Sequence, residues 1–271
     1  MVDVSIIMGI YNCEKTLEES INSILNQTFQ NWELIMCDDA SEDDTYSIAL
    51  AFSEKYPNIH LYKNEINLGL NKTLNKCLKY AKGTYIARMD GDDISLPQRL
   101  EKEFVFLETH PQYSIVSTPM IYFDENGDFA IGKSVNVPTK FDLIKGTPFC
   151  HAPCMVKREA YYAVKGYSEK NRTLRVEDYD LWARMMRLNF NGYNLDEPLY
   201  KMRDDRNALN RRKYKYRINE SYVKLKIFRD FKLPIRYFVY VFRPILVGLL
   251  PKCMYKFLHI FRLNRRKNKN D

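Results

Sequence analysis

The stretch TYIARMDGDD at residues 84–93 joins a short apolar run to three closely spaced carboxylates. The apolar run Thr84–Ala87 predicts a buried strand, so Asp90, Asp92 and Asp93 fall where that strand enters a loop. Open α/β sheets bind their ligands at such strand ends. Clustered carboxylates repel one another unless a cation neutralises them, and their hard oxygens favour Mg²⁺ or Mn²⁺. We therefore expect a divalent cation there, the alternative being a solvated acidic turn.

The chain around this stretch repeats the order of strand followed by helix. Apolar runs predict strands at Val4–Met8, Trp32–Cys37 and Ile59–Tyr62, and helical periodicity follows them over Glu14–Leu25, Thr45–Tyr56 and Leu70–Ala81. Successive units of this kind predict a mostly parallel central sheet with helices on both faces. One edge of that sheet then brings together Tyr11, Asp39, Asn67 and residues 90–93.

The pattern changes after the fourth strand. We expect Ser95 to cap a helix, and Asn126-Gly127 to turn a hairpin whose antiparallel strands join the sheet. A loop is expected over Thr147–Cys154 and a short helix over Lys157–Val164.

A later amphipathic helix begins near Glu177 and Asp178. Acids in the first turn of a helix ordinarily stabilise its dipole or cap it. In isolation, this segment is therefore better explained by helix stability than by chemistry.

The composition indicates a globular protein with two regions of opposite charge. The 271 residues are 45% hydrophobic, enough for a substantial core, and the six scattered cysteines suit reduced thiols. No signal-peptide pattern is found, so we expect a cytoplasmic protein. The segment 201–271 has 21 Lys and Arg against 5 Asp and Glu, a formal charge of +16, which leaves −8 for the remainder of the total of +8.

A basic tail on an acidic body predicts attachment to an anionic surface. Pro234–Leu250 is apolar, but Arg236 and Arg243 interrupt it, so we expect it not to span a bilayer. Met254–Arg262 adds aromatic and cationic residues typical of an interfacial helix. We favour an anionic membrane over nucleic acid as the partner of the tail. The alternative is a C-terminal brace that packs on the domain.

Four segments together resemble the family 2 glycosyltransferases, which have the GT-A fold. They are Ser5–Asn12, Asp38–Thr45, Met89–Asp93 and the pair Glu177 and Asp178. The resemblance covers the chain from Val4 to about Arg203 and is strongest to bacterial transferases that assemble capsule and O-antigen repeat units. It implies an α/β protein with a Rossmann-like, mostly parallel central sheet flanked by helices, an antiparallel extension and a C-terminal helical tail.

The resemblance also implies how the chain is divided. Residues 1–105 would form the nucleotide-sugar-binding half of a GT-A domain and residues 106–206 its acceptor-binding half. Residues 207–271 would form the basic amphipathic helical tail.

On the donor side, the resemblance implies a UDP-sugar. Tyr11 and Asp39 would hold the uracil, with Asp39 accepting a hydrogen bond from the base, and Asp90 would bind ribose. Asp92, with Asp93, would hold Mn²⁺ or Mg²⁺ against the diphosphate, where a cation stabilises the leaving group. The other expected nucleotide-sugar contacts are Asn12, Asn67, Gly69, Asn75, Arg88 and Arg203.

Arginine contacts to the nucleotide differ from the family pattern in one place. Relatives have an Ala-Arg-Asn sequence where this chain has 73–75, Thr-Leu-Asn, so Arg88 or Lys72 would replace the missing Arg. Arg203 and Arg206, which we place in a mobile loop, would close over the diphosphate or else form surface salt bridges.

On the acceptor side, the resemblance makes Asp178 the general base of an inverting transfer. Glu177 would orient the acceptor or raise the pKa of the base. His151 and Trp182 are expected near the acceptor, a polyprenyl-pyrophosphate-linked saccharide at the inner face of the cell membrane. The Gln-x-x-Arg-Trp segment of processive members is missing, which predicts one sugar per encounter.

Two other functions compete with this interpretation. A sugar nucleotidyltransferase would need a Gly-rich phosphate loop after the first strand, and Tyr11–Glu14 is not one. A catalytically silent, membrane-associated scaffold with the same fold would not need the acids that this chain retains.

Overall fold

A computed structural model describes residues 2–204 and 213–249 of the chain. These residues contain eleven strands: β1 (Val4–Ile10), β2 (Trp32–Asp38), β3 (Ile59–Lys63), β4 (Tyr85–Arg88), β5 (Ile94–Ser95), β6 (Ile115–Ser117), β7 (Met120–Asp124), β8 (Gly127–Ile131), β9 (Cys154–Lys157), β10 (Gly192–Asn194) and β11 (Tyr200–Arg203). The described α-helices are α1 (Leu17–Leu25), α2 (Thr45–Lys55), α3 (Leu70–Tyr80), α4 (Arg99–Thr109), α5 (Lys140–Leu143), α6 (Arg158–Ala163), α7 (Glu177–Arg187), α8 (Tyr214–Asp230) and α9 (Val239–Gly248).

The central sheet has seven strands in the order β10-β6-β9-β4-β1-β2-β3. All of its pairs are parallel except those that β9 makes with β4 and β6. Alternate residues of β1 belong to two separate cores, with Ile7 on one face and Ile6 on the other. Helices therefore cover both faces of the sheet, which explains the continuous apolar runs of its strands. The predicted mostly parallel, helix-flanked sheet is confirmed.

The register of the sheet aligns the ends of the strands that carry the candidate residues. Ile10 pairs with Asp38 at the last positions of β1 and β2, and Arg88 at the end of β4 pairs with Ile7. The segments that begin at Tyr11 and Asp39 therefore leave the sheet at one edge, as the order of strands and helices predicts.

The antiparallel part differs from expectation. The Asn126-Gly127 hairpin is confirmed, but its strands belong to a second sheet with the order β5-β11-β7-β8. The antiparallel strand of the central sheet is instead β9, which we expected to be loop followed by helix. Its four residues are too few for a periodic signal.

The predicted cap at Ser95 is wrong. Ser95 lies in β5, where it pairs with Tyr200 of β11 and its amide donates to the Ser23 hydroxyl at 3.0 Å. The helix that we expected there starts at Arg99. The pairing of β5 with β11 places Ser95 in a strand, where it does not cap a helix.

The C-terminal helix α8 packs against the domain. Val223 and Ile227 are buried in the core, and Lys226 forms a 2.6 Å ion pair with Asp180 of α7. Asp180, itself 1% exposed, is also paired with Arg184 at 2.6 Å. Helix α8, the first helix of the tail, therefore packs on the domain, as the brace alternative proposes for the tail.

No helix within 2–204 and 213–249 combines the length and the apolar content needed to cross a bilayer. The predicted interfacial segment Met254–Arg262 and the predicted contact Arg206 lie outside the described residues.

Candidate active site

Three carboxylates cluster where β4 enters its loop. One ligand oxygen from each of Asp90, Asp92 and Asp93 can be chosen so that all lie within 4.8 Å of one another. Asp92 is exposed, whereas Asp93 is 2% exposed and accepts a hydrogen bond of 2.8 Å from the Arg203 amide. Burial, followed by the charges of Asp90 and Asp92, raises the pKa of Asp93 to about 8. A divalent cation would relieve this repulsion, so the cluster fits one, with Asp92 as its most accessible ligand.

Arg88 lies beneath the carboxylate cluster. Its guanidinium is 4% exposed and forms an ion pair with Asp90. Burial opposes ionisation, but the Asp90 carboxylate raises the pKa of Arg88, so the side chain stays charged. Its Nε is buried and has no hydrogen-bond partner among the described residues. Arg88 therefore fixes Asp90 and retains one unused donor.

Arg99 is a buried cation whose contacts the sequence did not reveal. It is 1% exposed and donates to the carbonyl oxygens of Arg88 at 2.9 Å and Ala152 at 3.4 Å. Glu103, one turn along α4, accepts from its Nε at 3.3 Å. Arg99 thus links the end of β4 to the loop that contains His151. Its only signal in the sequence is the Arg-x-x-x-Glu spacing on an otherwise apolar helix face.

Asp39 shapes the loop beside the expected nucleotide. Its carboxylate accepts hydrogen bonds from Asn64 Nδ2 at 2.8 Å, from the Leu68 amide at 2.9 Å and from the Gly69 amide at 2.8 Å. A carboxylate has about four acceptor positions, so at most one is left for a base. Gly69 has a φ of +90°, which a residue with a side chain rarely adopts. Asn64 was missed because a single Asn after an edge strand carries no pattern.

Tyr11 and Asn67 are exposed at this edge and remain open to a ligand. Asn12 joins the loop after β1 to the loop after β2. Its amide donates to the Ser41 hydroxyl at 3.1 Å, and its side-chain oxygen accepts from the Glu42 amide at 2.9 Å.

Asn75 supports a neighbouring segment. Its Nδ2 donates to the Tyr167 carbonyl at 2.9 Å, and its Oδ1 accepts from the Tyr167 amide at 2.8 Å. Both ends of the amide face this backbone, so Asn75 supports that segment in this arrangement, and its expected nucleotide contact stays a prediction.

Arg203 is the last residue of β11, so it lies in a strand and not in the mobile loop that we expected. Its Nε donates to the Asp92 carbonyl at 3.0 Å, and its guanidinium pairs with Glu19 and lies over the Phe123 ring. In this arrangement Arg203 forms the salt bridge that was the alternative to diphosphate binding.

The N-terminal turn of α7 presents the acceptor-side acids. Burial, followed by the charge of Glu177, raises the pKa of Asp178 to about 6, and the Arg88 charge partly offsets this rise. The Oε2 atom of Glu177 is buried and has no hydrogen-bond partner in the described part of the chain. Asp178 is therefore a carboxylate that can gain or lose a proton near neutral pH.

The His151 and Trp182 rings lie next to each other. Their ring centroids are 5.8 Å apart, and His151 Nε2 is 2.9 Å from the Tyr167 hydroxyl. Burial, followed by the Arg88 charge, holds the pKa of His151 well below its usual range, so the imidazole is neutral. The Arg88 charge thus influences both His151 and Asp178 while its guanidinium is paired with Asp90, which couples the carboxylate cluster electrostatically to the acceptor-side acid.

Residues 5–218 match the family model described as Glycosyl transferase family 2. The chain is a family 2 glycosyltransferase. EpsE of Bacillus subtilis (strain 168), named as a glycosyltransferase, is 46% identical over 265 residues, which are 97% of this chain and 95% of EpsE. The Escherichia coli UDP-Glc:alpha-D-GlcNAc-diphosphoundecaprenol beta-1,3-glucosyltransferase WfgD is 35% identical over 187 residues, 69% of this chain and 70% of WfgD.

The fold of this family 2 glycosyltransferase is shared with solved structures. Staphylococcus aureus TarS 1-349, crystallised with UDP-GlcNAc, superposes with a TM-score of 0.68 over 91% of this chain and 72% of TarS 1-349, at 20% identity. The GT-A fold implied by the sequence is confirmed, as is the assignment of the chain to the glycosyltransferases.

Proposed function

We propose that this family 2 glycosyltransferase transfers a hexose or N-acetylhexosamine from a UDP-sugar to a lipid-linked saccharide in bacterial surface polysaccharide synthesis. The transfer inverts the anomeric centre, requires Mn²⁺ or Mg²⁺, and adds one sugar per encounter. The observation that carries the proposal is the raised pKa of Asp178, across Arg88 from the Asp90 to Asp93 cluster. The name of the relative WfgD, a transferase from UDP-Glc to a diphosphoundecaprenol-linked sugar, supports the substrate classes.

The proposal assigns donor-side roles to residues at the ends of β1, β2 and β4 and in the loop after β3. Asp90, held by Arg88, binds the ribose, and Tyr11 and Asn67 flank the base at the open edge. A divalent cation, held mainly by Asp92, would neutralise the diphosphate of the leaving UDP. The remaining acceptor position of Asp39 accepts from the uracil N–H.

On the acceptor side, Asp178 removes the proton of the acceptor hydroxyl as its oxygen attacks C1 of the donor sugar. The attack comes from the face opposite the departing UDP, which inverts the anomeric centre. Glu177 positions the acceptor through its unpartnered Oε2, since a second hydroxyl of the acceptor would satisfy that buried oxygen. The neutral His151 and the buried Trp182 shape the same side.

Two alternatives are less well supported. A sugar nucleotidyltransferase does not explain the match to the glycosyltransferase family over residues 5–218. A catalytically silent scaffold does not explain a half-buried Asp178 whose pKa is raised to about 6, because a vestigial acid needs no such environment.

A donor screen tests the proposed function. The enzyme is incubated with a diphosphoundecaprenol-linked GlcNAc acceptor, Mn²⁺, and UDP-Glc, UDP-Gal, UDP-GlcNAc or UDP-GalNAc in turn, with GDP-Man as the matched control. We expect transfer from one UDP-sugar, a product of inverted anomeric configuration by NMR, and a single added residue by mass spectrometry. Transfer from GDP-Man alone, retained configuration or a long polymer would each contradict a part of the proposal.

Glu177→Gln is expected to shift the acidic limb of the pH–rate profile to lower pH. Asp178 must be ionised to accept a proton, so the wild-type rate should fall about tenfold per pH unit below a pKa of about 6. Removing the like charge of Glu177 lowers that pKa, although burial, the larger cause, remains. The profile of kcat from about pH 4.5 to 8 measures the shift. An unchanged limb would mean that the titrating group is not Asp178.

A further inference from the structure

Five apolar side chains form a stripe on the outer side of the C-terminal segment. They are exposed by between 49% and 78%, and we call them the apolar stripe: Ile235, Val239, Phe242, Leu246 and Leu249. Steps of three, four and three residues put Val239, Phe242, Leu246 and Leu249 on one face of α9 and its C-terminal end, and Ile235 lies in the 3-10 turn just before this helix. Single exposed apolar residues are normal on a protein surface, but a continuous stripe of five indicates a contact surface.

The opposite side of the same segment is anchored to the domain. Val241 and Pro244 of α9 are buried, and the Phe238 ring lies 5.1 Å from that of Phe228 on α8. The stripe is therefore held in one orientation rather than exposed on a free helix. Its position is also tied to the active site, because α8 contacts α7 through the ion pair of Lys226 and Asp180.

The charges around the stripe indicate what it contacts. Lys232, Arg236 and Arg243 are exposed beside it. The sequence from 231 to 270 has 10 Lys and Arg and no Asp or Glu. An apolar stripe with exposed cations beside it, in a described segment 231–249 that contains no acid, matches an anionic lipid surface, where apolar side chains enter the interface and cations remain at the headgroups.

We propose that the apolar stripe is the surface through which the enzyme rests on an anionic bilayer. Val239, Phe242 and Leu246 enter the headgroup region, and Arg236 and Arg243 contact lipid phosphates. The inference rests on the proposed function in one respect, that a lipid-linked acceptor brings the enzyme to a membrane. It goes beyond it by naming the contacting residues, and it requires α9 to lie parallel to the surface rather than cross it.

Vesicle binding by the full chain tests the proposal. Sedimentation is measured with vesicles of phosphatidylcholine alone and with added phosphatidylglycerol, without donor or acceptor. The stripe variant carries Val239→Gln, Phe242→Gln and Leu246→Gln. Its matched control changes three apolar residues of similar exposure on other surfaces, Val105→Gln, Ile131→Gln and Leu188→Gln.

We expect the stripe variant to bind anionic vesicles on the order of 100-fold more weakly and the matched control to bind like the wild type. Arg236→Gln with Arg243→Gln should weaken binding to anionic vesicles about 20-fold and leave binding to neutral vesicles unchanged. Equal binding by the wild type and the stripe variant would overturn the proposal.

Light scattering and activity separate the other outcomes. A wild-type dimer that the stripe variant converts to a monomer, with vesicle binding retained, would overturn the proposal in favour of a second copy of the chain. Transfer to a water-soluble acceptor analogue should be unchanged in the stripe variant, which also shows that it folds. Because the vesicle assay contains no donor, failure of the donor screen would leave this result intact, and failure here would leave the transfer reaction intact.

Discussion

Asp178→Asn should lower kcat by about 1,000-fold and leave the affinity for UDP unchanged. The amide keeps the shape of the side chain but cannot accept the proton of the attacking hydroxyl. In the proposed function, donor binding depends on groups at the ends of β1, β2 and β4, which this change does not touch. Steady-state kinetics with the active donor measure kcat, and calorimetric titration with UDP and Mn²⁺ measures affinity.

The matched control for this variant is Glu177→Gln, the adjacent residue in the same helical turn. It also removes a negative charge from the first turn of α7, so the helix-dipole effect is similar in both variants. Gln keeps a side-chain oxygen that can accept a hydrogen bond from the acceptor, so we expect Glu177→Gln to retain most of its activity at pH 8. If Asp178→Asn kept a comparable rate, another group would have to be the base.

Asp92→Ala should abolish the stabilisation that UDP and Mn²⁺ together give the wild type. At a ligand concentration of 100 times Kd, binding adds about 2.7 kcal/mol to the free energy of unfolding, and Tm rises accordingly. The variant lacks the most accessible carboxylate of the cluster, so the rise should disappear and activity should fall with it. Thermal unfolding with UDP alone, Mn²⁺ alone and both measures the effect.

Two further features sharpen this test. Without ligands, Asp92→Ala should be slightly more stable than the wild type, because the change removes a like charge beside the buried Asp93. Glu125→Ala, at the exposed hairpin turn, is the matched control and should respond to UDP and Mn²⁺ like the wild type. A UDP response that does not depend on Mn²⁺ would argue against metal binding at Asp92.

The parallel half of the fold could be predicted because local patterns and tertiary structure agree there. Strands β1 and β2 are covered on both faces, so they appear as apolar runs, and β1, β2 and β3 are each followed by a helix. The acids at 90–93 fall at a strand end for the same reason. The GT-A fold itself came from the resemblance of four segments to a family.

The parts that could not be predicted depend on contacts between distant residues. The strand β9 has four residues, and only its pairing with β4 and β6 makes it a strand. Ser95 has the sequence context of a helix cap, but it lies in β5 and pairs with Tyr200 of β11. Arg99 looks like one more charge on a helix, and only its carbonyl partners reveal its position between the two halves of the site.

For the candidate site residues, the sequence predicts the element in which each residue lies better than the atoms that its side chain contacts. Asp39 lies at the predicted strand end, but three hydrogen bonds from residues 64–69 already use three of the about four acceptor positions of its carboxylate. Asn75 lies on the predicted helix but is bound to Tyr167. Which atoms a side chain contacts depends on its rotamer and on distant loops, which spacing along the chain does not encode.

The ion pair between Lys226 and Asp180 has a consequence for how the enzyme is made. The two residues are 46 positions apart, and Lys226 follows the whole of α7 in the chain. During translation, α7 leaves the ribosome before α8. Asp180 can therefore pair with Arg184 at once, but it can pair with Lys226 only after α8 has emerged. We expect nascent chains that end before α8 to hold the N-terminal turn of α7 loosely. The enzyme would then complete α7, the helix that contains the proposed base Asp178, only when the segment with the apolar stripe is also being completed.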